Sequence, residues 1–248
     1  MARDEPSAEA TERSLPASLE YAEVRIHSTA KLFGSGEDDP GLVRISGTVS
    51  IVDLHDEDEE SISPIAGIGL EIAEGATAEI TILRAEAVVL DLGTIKDLFD
   101  TLDADSEELL HYSCLFDFEG GEGLHPDLEE ALVGFGEHVV IAERVRLAPA
   151  WRGLGGVGRY LFGRMLPLIC CDPVVVAAQP FPLDVDRDDQ GNAKKAALKR
   201  GLAQTRRTWK SIGFEPYKND IWIMDPNLVK HDQALTRLER KLKLSRMS

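Results

Sequence analysis

Residues 145–158 read Val145-Arg146-Leu147-Ala148-Pro149-Ala150-Trp151-Arg152-Gly153-Leu154-Gly155-Gly156-Val157-Gly158. An apolar stretch from residue 139 leads into this segment and predicts a strand, and a helix is predicted over about residues 157–168. The glycines let the backbone approach a ligand closely, and the positive end of the helix dipole faces the same turn. Arg152 adds a guanidinium that can bind phosphate oxygens in bidentate fashion. The segment therefore predicts a turn that binds a pyrophosphate group.

The same glycines also match a second kind of nucleotide site. Residues 153–158 fit the G-x-G-x-x-G spacing of a dinucleotide-binding fold. That fold places its glycines after the first strand and an acidic residue at the end of the next one. Here the next predicted strand, residues 174–178, ends in Gln179-Pro180-Phe181-Pro182, and Asp184 and Asp186 come several residues later. A Rossmann-type nucleotide-binding protein is therefore kept as a third interpretation.

Two motifs together resemble a known enzyme family. The order of strand, x-x-Pro, aromatic residue, Arg-Gly-x-Gly, helix and strand resembles the acetyl-CoA-binding motif of the GNAT acyltransferase superfamily. Residues 208–225, which include Gly213-Phe214 and the alternating run from Ile221, are similar to the family's closing helix and strand. Gly213 suits the position after a helix C-terminus, and alternation predicts a strand. The two motifs span about residues 139–225.

The resemblance implies a fold and a domain organisation. The fold class is α/β (α+β): a GNAT-like mixed, mostly antiparallel sheet flanked by helices, with a central parallel strand pair that splays to hold acyl-CoA. The acyltransferase domain is placed at residues 19–226, and the composition of residues 1–18 predicts a disordered tail. Residues 227–248 are predicted to form a basic amphipathic helix that docks on the domain or pairs with a second copy in a homodimer. Its apolar stripe contains Leu228, Leu235, Leu238 and Leu242.

Hydrophobic periodicity predicts the remaining elements. Strands are expected over residues 21–26, 43–52, 65–72, 78–83 and 87–92, which would supply an antiparallel sheet. A helical segment over residues 95–116 is expected to break at residues 103–106, where Ser106 can cap a second helix. A further helix is expected over residues 194–212.

The resemblance also implies the residues of a cofactor site. In the family, backbone and side-chain groups at the end of the strand, in the glycine turn and at the start of the helix bind acetyl-CoA. In this chain the matching positions are Val145, Leu147, Arg152, Gly153, Leu154, Gly155, Gly156, Val157, Gly158 and Arg159. The turn is one residue longer before its last glycine than the usual family turn. Basic residues near the C-terminus are candidates for binding the 3′-phosphate of CoA: Lys194, Lys195, Lys199, Arg200 and Arg206.

Catalytic residues follow less directly from the motifs. Glu143 is the candidate general base, because some family members carry an acid at similar positions and it shares the alternation of Val145 and Leu147. Many members place a tyrosine four residues before the glycine of Gly-Phe, whereas this chain has Trp209, whose indole cannot act as a general acid. Tyr217 is the candidate replacement, with Tyr160 as an alternative. His111 and Tyr112 are candidates for the wall of the acceptor pocket.

The implied function is transfer of an acetyl group from acetyl-CoA to a primary amine by direct attack. A catalytically silent GNAT-like module that binds CoA or a protein partner is the alternative, and it is favoured by Trp209 and the lengthened turn. Three cysteines, which are expected to be free thiols, and six scattered histidines lack metal-ligand spacing, so we expect no metal site.

Charge narrows the range of partners. The formal net charge is −17, yet residues 190–248 carry 14 basic against 5 acidic residues, so the acidic excess lies in the first 189 residues. An acidic field repels nucleic acid and attracts cations, which favours a cationic small-molecule or peptide amine as substrate. No run of about 18 apolar residues and no secretory signal pattern are present, so we expect a cytoplasmic protein without membrane association.

Overall fold

The computed structural model describes residues 19, 22–30, 41–53, 78–120, 123–134, 136–182 and 192–242. One sheet contains the strands β1 (Ala22–Ala30), β2 (Leu42–Asp53), β3 (Ala78–Asp91), β6 (His138–Leu147), β7 (Val175–Ala178), β8 (Glu215–Pro216) and β9 (Trp222–Met224). Two short strands, β4 (Phe116–Asp117) and β5 (Gly123–Leu124), form a separate pair. The α-helices are α1 (Leu98–Asp105), α2 (Glu107–Leu110), α3 (Pro126–Ala131), α4 (Val157–Ile169), α5 (Asn192–Lys210) and α6 (Val229–Lys241).

The strand order of the large sheet is β1-β2-β3-β6-β7-β9-β8. Among the described strands, β6 and β7 form its parallel pair, and the other neighbouring strands are antiparallel. The prediction of a mixed, mostly antiparallel sheet flanked by helices is therefore confirmed. A Rossmann-type site requires a mostly parallel sheet, so the fold removes the structural basis of that interpretation. None of the helices in the described ranges is long and apolar enough to cross a membrane.

The element predictions differ from the structure at β3. Residues 78–83 and 87–92 were expected to form two strands, but they form one continuous strand of 14 residues. The intervening Arg84, Ala85 and Glu86 include no turn-forming residue, and Ala85 pairs with Gly47 on one side and Val145 on the other. Pairing on both sides therefore holds the polar residues in extended conformation. The strand predicted at residues 65–72 and the tail predicted at residues 1–18 lie outside the described residues.

Two apolar clusters cover the two faces of the sheet. One cluster joins the face that carries Val140 and Ala142 to α4 and α6, through residues such as Met165 and Leu238. The other joins the opposite face, which carries Val139 and Ile141, to α1, α2 and α3. Residues 139–142 are all buried because both faces are covered, which explains their uninterrupted apolar sequence.

A β-bulge interrupts the pairing of β6 at Glu143. Ala142 pairs with Ala87 and Arg144 pairs with Glu86, so Glu143 has no partner residue on β3. One extra residue in a strand changes which face the following side chains occupy. Val145 therefore packs against the same cluster as Ala142, although an unbroken two-residue alternation would separate them.

Helix α5 ends in a Schellman motif. The N–H of Phe214 donates to the carbonyl of Trp209 at 3.2 Å, and the N–H of Gly213 donates to that of Lys210 at 3.2 Å. Gly213 has φ +109°, which favours glycine. The rings of Trp209 and Phe214 meet edge to face at 4.6 Å and supply the apolar contact of the motif. The Gly-Phe dipeptide therefore reverses the chain from α5 into β8.

Replacement of Gly213 by alanine is expected to lower the free energy of unfolding by about 1–2 kcal/mol, because a Cβ disfavours this left-handed conformation. Urea unfolding followed by tryptophan fluorescence measures the change. Gly123→Ala is the control, since its added Cβ would make only an ordinary contact of 3.5 Å with Glu129 Oε1. Equal stability of the Gly213 variant and the wild type would contradict the assigned cap.

Helix α6 packs against α4. Leu235 and Leu238 are buried, and Leu235 occupies the space that the missing side chain of Gly163 leaves on α4. Arg164 and Glu239 form an ion pair at 3.2 Å between the same two helices. Part of the leucine stripe of α6 is thus covered by α4 of the same chain, as expected if the C-terminal helix docks on the domain.

Candidate functional site

A cavity of about 1310 Å³ lies where β6 and β7 diverge. The two strands pair from Val139 and Val175 to Ala142 and Ala178, and β6 then continues to Leu147. No described strand covers this side of β6 beyond Ala142. The volume exceeds the roughly 300–1,000 Å³ of typical small-ligand pockets. The cavity therefore has room for a large, extended ligand beside an open strand edge.

The residues predicted to bind the cofactor all line this one cavity. They come from the end of β6, the glycine turn and the first turn of α4. The set is Val145, Leu147, Arg152, Gly153, Leu154, Gly155, Gly156, Val157, Gly158 and Arg159.

The glycine turn has a backbone that other residues rarely adopt. Gly153, Gly155 and Gly156 have φ values of +76°, +67° and +115°. A Cβ at Gly156 would also lie 2.7 Å from Cδ2 of Leu238, which is too close. Gly156 is the N-cap of α4, and no side chain caps the helix there. The N–H of Val157 donates to the carbonyl of Leu154 at 3.3 Å, so the N–H groups of Gly158 and Arg159, for which no preceding helical turn supplies acceptors, are the ones suited to bind an anion.

Two arginines flank this helix terminus. Arg152 is exposed, and its Nε donates to the carbonyl of Leu147 at 3.0 Å, which orients the guanidinium beside the turn. Arg159 is half-buried and donates to the hydroxyl of Ser211 at 2.6 Å and to the carbonyl of Gly155 at 3.4 Å. Both partners of Arg159 are neutral, and burial lowers the pKa of its guanidinium. A desolvated cation with neutral partners at a helix N-terminus favours an anionic ligand.

The α5 residues that line the cavity differ from those predicted. Lys195, Lys199, Arg200 and Arg206 are not part of the described cavity wall, and the Lys194 side chain lies outside the described residues. Arg206 instead pairs with Asp220 at 2.8 Å. The α5 residues that line the cavity are Gly201, Gln204, Thr205, Arg207, Thr208 and Trp209.

Arg207 is therefore a basic residue of the candidate site that the sequence analysis did not name among the candidates for binding phosphate. Gly201, Gln204, Thr205 and Thr208 have the spacing i, i+3, i+4 and i+7, which places these four residues on one helix face, and Arg207 lines the cavity beside them. Leu198, Leu202 and Trp209 identify the apolar side of α5, and the small and polar stripe beside it is the signal that would have predicted the cavity-facing side.

Glu143 lies on the same cavity, at the bulge. Its side chain is only 14% exposed, and Arg44 Nη1 donates to its Oε2 at 3.1 Å. Arg44 in turn donates from Nε to Asp105 Oδ1 at 3.2 Å. Burial raises the pKa of the Glu143 carboxyl, Arg44 opposes this rise, and the charges of Asp105 and Glu108 add to it. The carboxyl therefore titrates above its ordinary range while one arginine holds its orientation.

Replacement of Arg44 by methionine is expected to raise the pKa of Glu143 further, because the cation that favours the carboxylate is removed and the desolvation remains. Carboxyl ¹³C NMR titration measures the pKa directly. Arg25→Met is the control, since Arg25 pairs with Glu79 at 2.8 Å on the outer strand β1. An unchanged or lower pKa of Glu143 in the Arg44 variant would contradict the assigned interaction.

Tyr112 is placed at the point where the two parallel strands separate. Its buried hydroxyl oxygen accepts from the backbone N–H of Gln179, just after β7, at 3.1 Å. Burial raises its pKa, and the charges of Glu143 and Glu108 act in the same direction. The phenol therefore stays protonated at neutral pH and keeps an O–H donor inside the cavity. His111, which also lines the cavity, lies 3.1 Å from the Gln179 side-chain amide.

The structure does not bring Tyr217 to Glu143. Tyr217 donates to Asp127 Oδ1 at 2.7 Å, and burial together with this hydrogen bond raises its pKa to about 12. Within the described residues the cavity wall includes neither Tyr217 nor Tyr160. The ring of Tyr160 instead stacks with the guanidinium of Arg164. The sequence prediction of Tyr217 as a catalytic residue is corrected here, because the turn at the end of β8 points it toward α3.

The other groups that the sequence analysis considered are Trp209, the cysteines and the candidate metal ligands. Trp209 packs edge to face with Phe162 and Phe214, at 5.4 and 4.6 Å. The three cysteines are free thiols. In the part of the chain that the structure describes, no group of three or more His, Cys, Asp or Glu side chains could hold a metal ion.

Comparison of the chain with protein-family models, curated proteins and solved structures finds no match.

Proposed function

We propose that this protein is a GNAT-like N-acetyltransferase that transfers an acetyl group from acetyl-CoA to a primary amine. The observation that carries the proposal is the continuous cavity that connects the open edge of β6 with the uncapped N-terminus of α4. This arrangement suits a ligand with an extended amide-containing arm and a pyrophosphate group. The GNAT resemblance of the sequence supports the same assignment.

The glycine turn, Arg152 and Arg159 would bind the pyrophosphate. The backbone of β6 from Val145 to Leu147 can pair with the amides of an extended ligand, as a sheet edge pairs with a peptide. Strands rise about 3.3 Å per residue, so the four steps from Leu147 to Glu143 span about 13 Å along this edge. An arm that lies along β6 would therefore reach the bulge, where Glu143 and Tyr112 line the cavity.

Acetyl-CoA supplies the activated acetyl group of the reaction. With acetyl-CoA bound, Glu143 would accept one proton from the substrate ammonium, so that the amine nitrogen can form a bond to the thioester carbonyl carbon. As the carbon–sulfur bond breaks, the second proton of the nitrogen would pass to the sulfur, so that the product is a neutral amide and CoA leaves as a thiol. Tyr112 can donate a hydrogen bond to the departing sulfur. This role belongs to Tyr112 rather than Tyr217 because Tyr112 lines the cavity. Alignment of the two reactants in one site would provide much of the rate enhancement.

The charges at the bulge favour a cationic acceptor. Glu107 and Glu108 of α2 line the cavity together with Glu143. The basic side chains Arg152, Arg159 and Arg207 lie on the turn, α4 and α5. Arg144 and Arg146 of β6 also line the cavity, and Arg144 pairs with Glu108 at 3.4 Å, so the preference for a cation rests on Glu107 and Glu143. An alkyl ammonium substrate would be attracted toward the acidic part.

Titration calorimetry with acetyl-CoA tests the cofactor assignment. We expect saturable binding that Arg159→Met weakens by about 10- to 100-fold, which corresponds to the loss of a charge-assisted hydrogen bond to phosphate. Arg200→Met, on the exposed side of α5, is expected to bind like the wild type. NADH serves as a competing ligand. Absence of acetyl-CoA binding, or binding of NADH alone, would contradict the proposal.

A catalytically silent CoA-binding module remains the second candidate function. It is favoured by Trp209, which lines the cavity and packs edge to face with Phe162 and Phe214 at the position where many family members carry a tyrosine. The two functions are separated by assaying CoA release with a panel of primary amines. Acetyl-CoA binding without turnover on any amine would favour the module.

A further inference from the structure

The C-terminal end of α6 lies against the glycine turn. A methyl group added at Gly155 would lie 3.4 Å from Cδ2 of Leu242 and 3.7 Å from Cε of Lys241. Lys241 lines the large cavity. A helix that lies outside both sequence motifs therefore forms part of the predicted anion site.

Several contacts fix the position of α6. His231 is buried, and its Nδ1 lies 2.9 Å from the carbonyl of Ile212, just after α5. Glu239 is buried and pairs with Arg164 of α4 at 3.2 Å, beside the contact of Leu235 with Gly163. These contacts join α6 to the two helices that border the cavity. The end of α6 is therefore preorganised beside the turn, which lowers the entropic cost of binding through it.

Lys241 is exposed, and the ion pairs among the described residues do not include it. We propose that Lys241 binds a phosphate group of the ligand on the glycine turn, so that α6 completes the anion site. The identity of the ligand as CoA rests on the proposed function. The interaction itself requires only a phosphate group on the turn, where Gly155, Arg159 and the α4 terminus converge with Lys241.

The end of a helix offers another role for a lysine. Carbonyl groups at a helix C-terminus carry partial negative charge, which a basic side chain in the last turn compensates. Arg240 lies in the same last turn of α6 and can compensate the dipole equally well. Only Lys241 of this pair lines the large cavity, whereas Arg240 borders a separate depression. Comparison of variants at Lys241 and Arg240 therefore separates phosphate binding from compensation of the helix dipole.

Calorimetric titration of the full chain with CoA tests the proposal on Lys241→Gln and Arg240→Gln. We expect Lys241→Gln to raise the dissociation constant by about 3- to 10-fold, and Arg240→Gln to leave it within about twofold. The effect of Lys241→Gln should shrink with added salt, because the side chain is exposed. Lys241→Arg should restore binding, and equal thermal stability of the two glutamine variants excludes an effect through folding.

Equal effects of the two glutamine substitutions, or no effect of Lys241→Gln, would overturn the proposal. Inorganic pyrophosphate is titrated in parallel as a smaller probe. If the wild type binds pyrophosphate but not CoA, and Lys241→Gln weakens pyrophosphate binding, the proposed function fails while the Lys241 site stands. If the wild type binds neither ligand, both the proposed function and the Lys241 site are rejected.

Discussion

Replacement of Glu143 by glutamine is expected to lower kcat for amine acetylation by about 100- to 10,000-fold at neutral pH, the contribution typical of a general base. The amide is nearly isosteric and can still accept a hydrogen bond from Arg44, so the fold and the bulge should be retained. Acetyl-CoA affinity should stay within about twofold of wild type, because the residues proposed to bind its phosphates lie past Leu147. Steady-state kinetics and calorimetry measure the two quantities on the same protein.

The pH dependence of this variant provides a second test. The wild-type rate should fall at low pH as Glu143 is protonated, and this fall should begin above the ordinary range of a glutamate because burial raises its pKa. The pH profile of the variant should lack the fall in rate that accompanies protonation of Glu143. Its rate should rise with pH toward the wild-type value, since the substrate amine then deprotonates without help.

Glu86→Gln is the matched control for Glu143→Gln. Glu86 lies on the neighbouring strand β3, is exposed, and pairs with Arg144 at 3.3 Å. It should retain wild-type turnover. Unchanged turnover in Glu143→Gln would remove Glu143 from the mechanism, and an equal loss in both variants would indicate a general effect of charge.

Replacement of Leu235 by alanine is expected to lower the free energy of unfolding by about 2–5 kcal/mol, the range for large-to-small substitutions in cores. Leu235 is 5% exposed, and its Cδ2 lies 2.4 Å from the position that a Cβ on Gly163 would take. Truncation would leave a gap between α6 and α4 that two helices fixed by other contacts cannot close. Urea unfolding followed by tryptophan fluorescence measures the loss.

Val229→Ala on the same helix is the control for Leu235→Ala. Val229 is 65% exposed, so its truncation should change the free energy of unfolding by less than about 0.5 kcal/mol. If Leu235→Ala were equally mild, α6 would not be docked as described. Concentration-dependent unfolding of the wild type would instead point to pairing between copies through this helix.

Much of the fold was predictable because its signals are local. The apolar run at residues 139–142, the glycines at residues 153–158 and the apolar spacing after Val157 predict a strand, a turn and a helix without reference to the rest of the chain. Gly213 marks the end of α5 in the same way. The structure accordingly contains β6, α4, β7, α5 and β9 close to the expected bounds.

The candidate site was only partly predictable, because its chemistry depends on contacts between distant residues. The Arg44–Glu143 hydrogen bond joins residues 99 positions apart, and the Tyr112–Gln179 bond joins residues 67 positions apart. No periodicity within β6 predicts a partner on β2. Tyr217 illustrates the reverse case, since its position near the Gly-Phe motif suggested a role that its packing against Asp127 does not support.

The amino-acid sequence therefore predicts the elements and the glycine turn that we propose to bind phosphate, because backbone preferences and hydrophobic periodicity act over a few residues. The arrangement of Glu143 and Tyr112, the proposed reaction centre, depends on register and packing. In the bulge, Ala142 and Arg144 pair with adjacent residues of β3 and leave Glu143 without a partner on that strand. This pairing sets which side chains share a face of the sheet. The position of Lys241 follows from docking of α6 on α4. The bulge and the position of Lys241 both depend on contacts between elements that are distant in the sequence, and local sequence patterns do not predict such contacts.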